Sequence, residues 1–135
     1  MINSKIIKLA SNTKYEGLKD IFTHKSSMKN SFCGDLIKIE VVAKNKKIKS
    51  MRYETESCIL CEASASLLAN KVKNFDLNEL KKNVKIFKKI KKKDKINIPL
   101  KFKEYRYLFN ERTLNRINCV ILPMEALLKA FKIRI

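Results

Sequence analysis

Tryptophan is absent, histidine occurs once, and glycine and proline occur twice each, as Gly17, Gly34, Pro99 and Pro123. So few turn-formers argue against a small domain stapled by disulfides, which needs dense turns. No stretch approaches the roughly 20 uncharged apolar residues that cross a bilayer. Met1 to Ala10 is broken by Lys5 and Lys8, so it does not read as a secretory segment. The expected location is the cytoplasm, with no membrane partner. Acidic residues number 13 against 31 basic ones, a formal charge of +18 with pI near 9.9, which points first to an anionic partner. Arginine, however, supplies only 5 of those basic residues against 26 lysines, so the side chain best suited to guanine edges and phosphate forks is scarce. Aromatics are not interleaved with the basic runs as a single-strand stacking platform requires. Abundant Lys, Ile and Asn fit an AT-rich coding bias, and the lysines are expected to form a solvated surface rather than a nucleic-acid interface.

What remains is a chain of 135 residues, 45% apolar, enough for one core. It also holds four cysteines. Without an export signal, and so in a reducing compartment, four thiols point to metal binding or sulfur chemistry rather than to structural disulfides.

Residues 1 to 30 read as a short N-terminal helical extension, with small apolar faces at Ile6, Ile7 and Leu9 and at Leu18, Ile21 and Phe22, and with Ser26 to Asn30 as loop. Ile37, Ile39, Val41 and Ala43 then alternate with Lys38, Glu40 and Val42, the period of a half-buried strand over 36 to 43. A turn at Asn45-Lys46-Lys47 leads to a second strand, 47 to 55, carrying Met51, Tyr53 and Thr55 on one face; the two predict an antiparallel hairpin. At 59 to 73 the period becomes helical (Ala63, Leu67, Leu68, Val72). Asp76 with Glu79 forms a capping-box pattern opening a second helix, 76 to 92, with an apolar stripe of Leu77, Leu80, Val84 and Phe87 and an opposite lysine face. Lys93 to Lys103 reads as a connecting loop or short edge segment, Tyr105 to about Asn115 as helical, and 120 to 132 as a last helix with Pro123 tolerable only in its first turn. Hairpin before helices is the order of an α+β domain, a small antiparallel sheet covered on one face by helices.

The cysteines fall at element boundaries. Cys33-Gly34-Asp35 sits where a loop enters the first strand, and Gly34 permits a turn that aims both flanking side chains into one site. Cys58 ends the hairpin and opens a helix, where the macrodipole and unpaired backbone N–H groups favour an anionic sulfur. Cys119 lies just before the last helix. Buried free cysteine often acts as a small hydrophobe, and Cys61, three residues into an apolar helix turn, fits that packing role. Cys58-Ile59-Leu60-Cys61 is alternatively a C-x-x-C pair, a zinc signal that is incomplete without a second matched pair. His24, the lone histidine in a polar segment, reads as a surface residue.

Taken together, Cys33-Gly34-Asp35, Cys58 followed by Ala63-Ser64-Ala65-Ser66, and Arg116-Ile117-Asn118-Cys119 running into Ala126-Leu127 resemble the SufU, IscU and NifU N-terminal family of iron–sulfur cluster assembly proteins, over about residues 30 to 132. The spacing from Cys58 to Cys119 is nearest to SufU-like members. The resemblance implies one domain over 1 to 135 and a ligand set of Cys33, Asp35, Cys58 and Cys119, holding zinc or a transient iron–sulfur cluster. It implies Cys33 and Cys119 as candidate sulfur acceptors, and a cysteine desulfurase and recipient apo-proteins as partners. Asn118 stands where IscU-like members carry histidine, which makes Asp35 the preferred fourth ligand. Glu56 and Ser57 replace the usual glycine pair, and Cys61 is additional. The expected role is a cluster scaffold or a zinc-dependent sulfurtransferase rather than a metabolic enzyme. The alternative, a basic nucleic-acid-binding module with a structural zinc, requires lysines focused beside the site and steeply salt-dependent binding.

Overall fold

A computed structural model describes residues 4–30, 34–90, 98–109 and 116–134. Helix α1 (Ser4–Ser11) precedes three strands, β1 (His24–Lys29), β2 (Leu36–Lys44) and β3 (Lys47–Glu56). Helix α2 (Ile59–Lys71), a 3-10 turn (Val72–Asn74), helix α3 (Leu77–Lys88), a 3-10 segment (Leu100–Leu108) and helix α4 (Ile117–Ala130) follow. The sheet is antiparallel in the order β1-β2-β3. The α+β class and the expected β2–β3 hairpin are both present.

Alternation accounts for the hairpin. Ile37, Ile39 and Val41 stand opposite Thr55, Tyr53 and Met51, so a two-residue period places Ile37, Ile39, Val41, Met51 and Tyr53 together on the face that meets α2 and α4. The connection is tighter than expected: Lys44 pairs with Lys47, and Asn45 and Lys46 both take positive φ, the two-residue turn whose twist matches the strands. Ile37, Ile39, Val41, Met51, Tyr53, Leu67, Leu80, Val84 and Leu127 are all buried.

Asp76 caps α3, its carboxylate accepting the Glu79 backbone N–H at 2.7 Å. Lys82, Lys85, Lys88 and Lys89 on this helix are exposed. Ser64 and Ser66 let α2 approach its neighbours closely; their hydroxyls donate to the Val120 and Asn12 carbonyls.

Four expectations are corrected. Ser26 to Asn30 is not loop, since His24–Lys29 forms the edge strand β1 against β2. Its inner face, His24, Ser26 and Met28, is half-buried with one apolar residue, and the Ser26 hydroxyl donates to the Ala126 carbonyl, so no apolar alternation marks it in the sequence. Residues from Leu100 are a 3-10 segment rather than a loop, because Phe102, Tyr105 and Leu108 recur at the three-residue period of that helix and all point inward. Helix α4 begins at Ile117, which puts Pro123 in its interior. An interior proline costs about 3 kcal/mol; here burial of Val120, Ile121, Leu122, Met124, Leu127 and Leu128 offsets it. Finally, Glu40, on the outward phase of β2, is buried, and its Oε1 accepts the backbone N–H groups of Lys19 and Asp20 at 2.8 and 3.0 Å. Arg52 on the same face donates to the Gly17 and Glu16 carbonyls, so the segment after α1 is strapped across the sheet. Expectations for residues 31–33, 91–97 and 110–115 lie outside the described residues.

Candidate metal centre

The end of the sheet nearest the β1–β2 connection gathers three chain segments. Lys29 pairs with Leu36, and just beyond that pair the Asn30 N–H donates to the Asp35 carbonyl at 2.7 Å while the Gly34 N–H donates to the Asn30 carbonyl at 2.8 Å. Gly34 has φ of +71°, a backbone region that glycine enters without a Cβ penalty. Asp35 thereby enters β2 with its side chain at the sheet end, 3% exposed.

Leu36 also pairs with Glu56, so β3 ends beside Asp35, and Cys58 becomes the N-cap of α2. Asp35 accepts the Cys58 backbone N–H through Oδ1 at 3.0 Å, and its Oδ2 lies 3.5 Å from Cys58 Sγ. Cys119 comes from the first turn of α4, two residues inside the helix rather than ahead of it, and is buried. The Asn30 carboxamide donates towards Cys119 Sγ across 4.0 Å.

Asp35, Cys58 and Cys119 each offer a ligand atom within 4.8 Å of the others, the one such group of three among the described residues. A tetrahedral ion with bonds of about 2.0–2.3 Å separates its ligand atoms by about 3.5–3.8 Å. The Asp35–Cys58 separation of 3.5 Å already meets that edge, and the widest separation exceeds it by only about 1 Å, within side-chain adjustment. Two soft thiolates with one carboxylate suit zinc or iron, so the donor set fits the group the sequence implies.

Of the residues singled out in the sequence, Cys33 lies outside the described residues. Cys61 lies in the first turn of α2 with no exposure, packed in the core. His24 is at the opposite end of β1 from Asp35, half-buried, with its ring stacked on Phe131 at 4.2 Å and hydrogen-bonded to Thr23. Asn118 is exposed. Burial holds the phenols of Tyr53 and Tyr105 above the ordinary tyrosine range, so both are neutral near pH 7 and supply no anion to the site. Asn30 was missed in the sequence: its signal is position, in phase with Ser26 and Met28 along a strand that read as loop.

A family profile for the NifU-like N-terminal domain matches residues 1–105, a span holding Cys33, Asp35 and Cys58. The iron–sulfur cluster assembly scaffold protein IscU of Thermotoga maritima is 27% identical over 139 residues, covering 98% of this chain and 93% of that protein. The N-terminal NifU-like protein of Brucella abortus superposes with a TM-score of 0.82 at 19% identity, over 96% of this chain and 91% of the other. The SufU protein of Fervidobacterium islandicum AW-1 superposes at 0.79 with 18% identity, over 97% and 96% of the two chains. With the fold shared across nearly the whole length and the profile spanning most of the chain, this protein belongs to the NifU-like N-terminal domain family.

Proposed function

We propose that this protein serves iron–sulfur cluster assembly, receiving sulfur from a cysteine desulfurase and holding a nascent cluster, as cargo, for delivery to recipient apo-proteins. One observation carries the reading: Asp35, Cys58 and Cys119, separated by 23 and 61 positions in the chain, bring their ligand atoms within 4.8 Å of one another. Cys33, which precedes Gly34 in the sequence, is the third thiolate of the proposed set, with Asp35 as its one carboxylate.

The chemistry follows from the ligand types. A thiolate of Cys33 or Cys119 attacks the outer sulfur of the desulfurase persulfide; a new S–S bond forms, the old one breaks, and the desulfurase cysteine leaves as thiolate. The transfer itself is redox-neutral; turning the transferred sulfane sulfur into cluster sulfide is a two-electron reduction per sulfur, supplied by iron(II) together with an external thiol reductant. The same thiolates are the natural ligands of iron and zinc, whereas the harder Asp35 oxygen is the weaker ligand and opens a position for exchange. Cys58 sits at the α2 N-cap, where the partial positive charge of the helix end favours an anionic cluster. The membership and the site chemistry serve a cluster scaffold and a zinc-dependent sulfurtransferase alike; we favour the scaffold because the full-length relative in Thermotoga maritima is described as one.

Metal analysis tests the ligand set. Protein purified anaerobically from cells should carry zinc or iron near one site per chain, and Cys33→Ala, Cys58→Ala and Cys119→Ala should each lose most of it. Retention of full metal by all three variants would remove the chemical basis of the proposal.

A further inference from the structure

We infer that Asn30 is a positioning residue for the Cys119 sulfur: its carboxamide N–H holds that sulfur in the site and withdraws charge from it when metal is bound. The inference rests on the proposed site and assigns a role to a side chain outside its ligand set.

Three observations support it. First, Asn30 is buried, at 8% exposure, and its Nδ2 is directed at Cys119 Sγ across 4.0 Å. Second, this orientation is imposed by a longer seam between β1 and α4. Ser26 and Met28 share the inward phase of β1, and Asn30 follows them in that phase. At the far end of the seam the Ser26 hydroxyl donates to the Ala126 carbonyl and Lys129 Nζ donates to the Ser27 carbonyl at 2.8 Å. From Ser26 to Asn30 the strand advances about 13 Å, and from Ala126 back to Cys119 the helix covers about 10 Å. Two elements running antiparallel and tied at one end therefore bring Asn30 and Cys119 together at the other.

Third, Asn30 is bonded to the rest of the site through its backbone. Its N–H donates to the Asp35 carbonyl at 2.7 Å, and Asp35 in turn accepts the Cys58 N–H at 3.0 Å. Cys119, Asn30, Asp35 and Cys58 thus form one connected chain of hydrogen bonds, with Asn30 joining the α4 ligand to the two ligands near the ends of the strands.

A carboxamide is suited to this place. It is a neutral donor whose protonation does not change with pH, so it adds no charge beside anionic ligands. A separation of 4.0 Å is long, but a thiolate is a better acceptor than a thiol, and the contact should tighten once the sulfur is an anion. Hydrogen bonds to ligating sulfur are among the factors that set the electronics of a metal–thiolate centre.

Cobalt(II), titrated into the reduced full-length protein against a competing chelator, reads both effects. Asn30→Leu keeps the approximate volume and removes the donor; Asn30→Ala is the second variant. Both should still bind one cobalt with unchanged sulfur-to-cobalt charge-transfer intensity, because the thiolate count is unchanged. Affinity should fall about 10- to 100-fold, the usual loss on removing an outer hydrogen-bond partner. The charge-transfer band should move to lower energy, since an unbonded thiolate gives up charge more readily. Affinity within twofold of wild type and an unshifted band would overturn the inference. A lower melting temperature with normal cobalt binding by the folded protein would also overturn it, as would failure of both variants to fold, because the role would then lie in the fold. The underlying site is tested separately: Cys119→Ala must lose one thiolate's share of the intensity, and if it does not, the ligand assignment fails rather than the role of Asn30.

Discussion

Asp35→Ala removes a carboxylate with two separable roles. One oxygen accepts the backbone N–H of Cys58 at 3.0 Å at the start of α2, and the other stands 3.5 Å from the Cys58 sulfur, where an ion would be shared. Asp35 is only 3% exposed and its bond to the Cys58 N–H is part-buried, so alanine takes the acceptor from a donor with limited access to water. Orphaning such a donor costs about 1–3 kcal/mol. For a domain of this length each kcal/mol lowers the melting temperature by about 3–5 °C, so a loss near the middle of that range shifts the metal-free protein by about 6–10 °C. Asp35→Asn keeps the volume and the accepting oxygen while replacing the anionic ligand with an amide; it should melt within about 3 °C of wild type. With cluster assembled on the three thiolates, both variants should pass it to an acceptor more slowly than wild type, because the exchangeable oxygen ligand is gone. Circular dichroism melts of the reduced, chelator-treated protein measure the first effect, and the decay of visible absorption on adding acceptor measures the second. Equal destabilisation by Ala and Asn would refute the hydrogen-bond argument, and wild-type transfer rates in both would refute Asp35 as the labile ligand.

Cys61→Ala and Cys61→Ser should leave cobalt or zinc stoichiometry near wild type at a modest stability cost, because Cys61 is packed in the core one turn beyond Cys58; metal loss matching Cys58→Ala would revive the C-x-x-C pairing. Asp76→Ala should cost about 1 kcal/mol in urea unfolding at pH 7, the usual value of an N-cap. The Glu79 backbone N–H bonded to Asp76 holds its carboxyl below the usual range. The cap's contribution is therefore fully present above the unfolded value near pH 4 and is lost as pH falls through the lower folded value. The difference between wild type and Asp76→Ala should be flat from pH 7 to 5 and shrink only below about pH 4; a difference already shrinking at pH 6 would contradict the cap.

The parts of the fold that were legible are those where one face is apolar and its period unmistakable. Ile37, Ile39 and Val41 on β2, and Leu80, Val84 and Phe87 on α3, are buried and set register and rotation by themselves. The edge strand β1 shows no apolar period because, of its inward residues, His24 packs through a ring stack and Ser26 through a hydroxyl bond, leaving Met28 alone to meet the core through hydrocarbon. Glu40 misled in the other direction: alternation assigns it to solvent, but the strap from Glu16 to Asp20 crosses that face and presents two backbone donors to it. At the site, boundary positions marked Asp35, Cys58 and Cys119 in advance, since strand and helix ends are where a sheet and two helices can meet. Asn30 was invisible for the same reason as β1, since its role depends on the phase of that strand relative to α4.

The central claim is that the thiolates and Asp35 form a place where a cluster is built and from which it leaves. Anaerobic incubation of the reduced protein with iron(II), L-cysteine, a thiol reductant that turns persulfide sulfur into sulfide, and a catalytic amount of a cysteine desulfurase, followed by addition of an apo-protein acceptor, tests it most directly. The account predicts sulfur-to-iron charge-transfer absorption on this chain, dependent on Cys33, Cys58 and Cys119, that transfers to the acceptor in stoichiometric amount. Persulfide formation without any iron chromophore, or a chromophore that survives loss of all three cysteines, would contradict it.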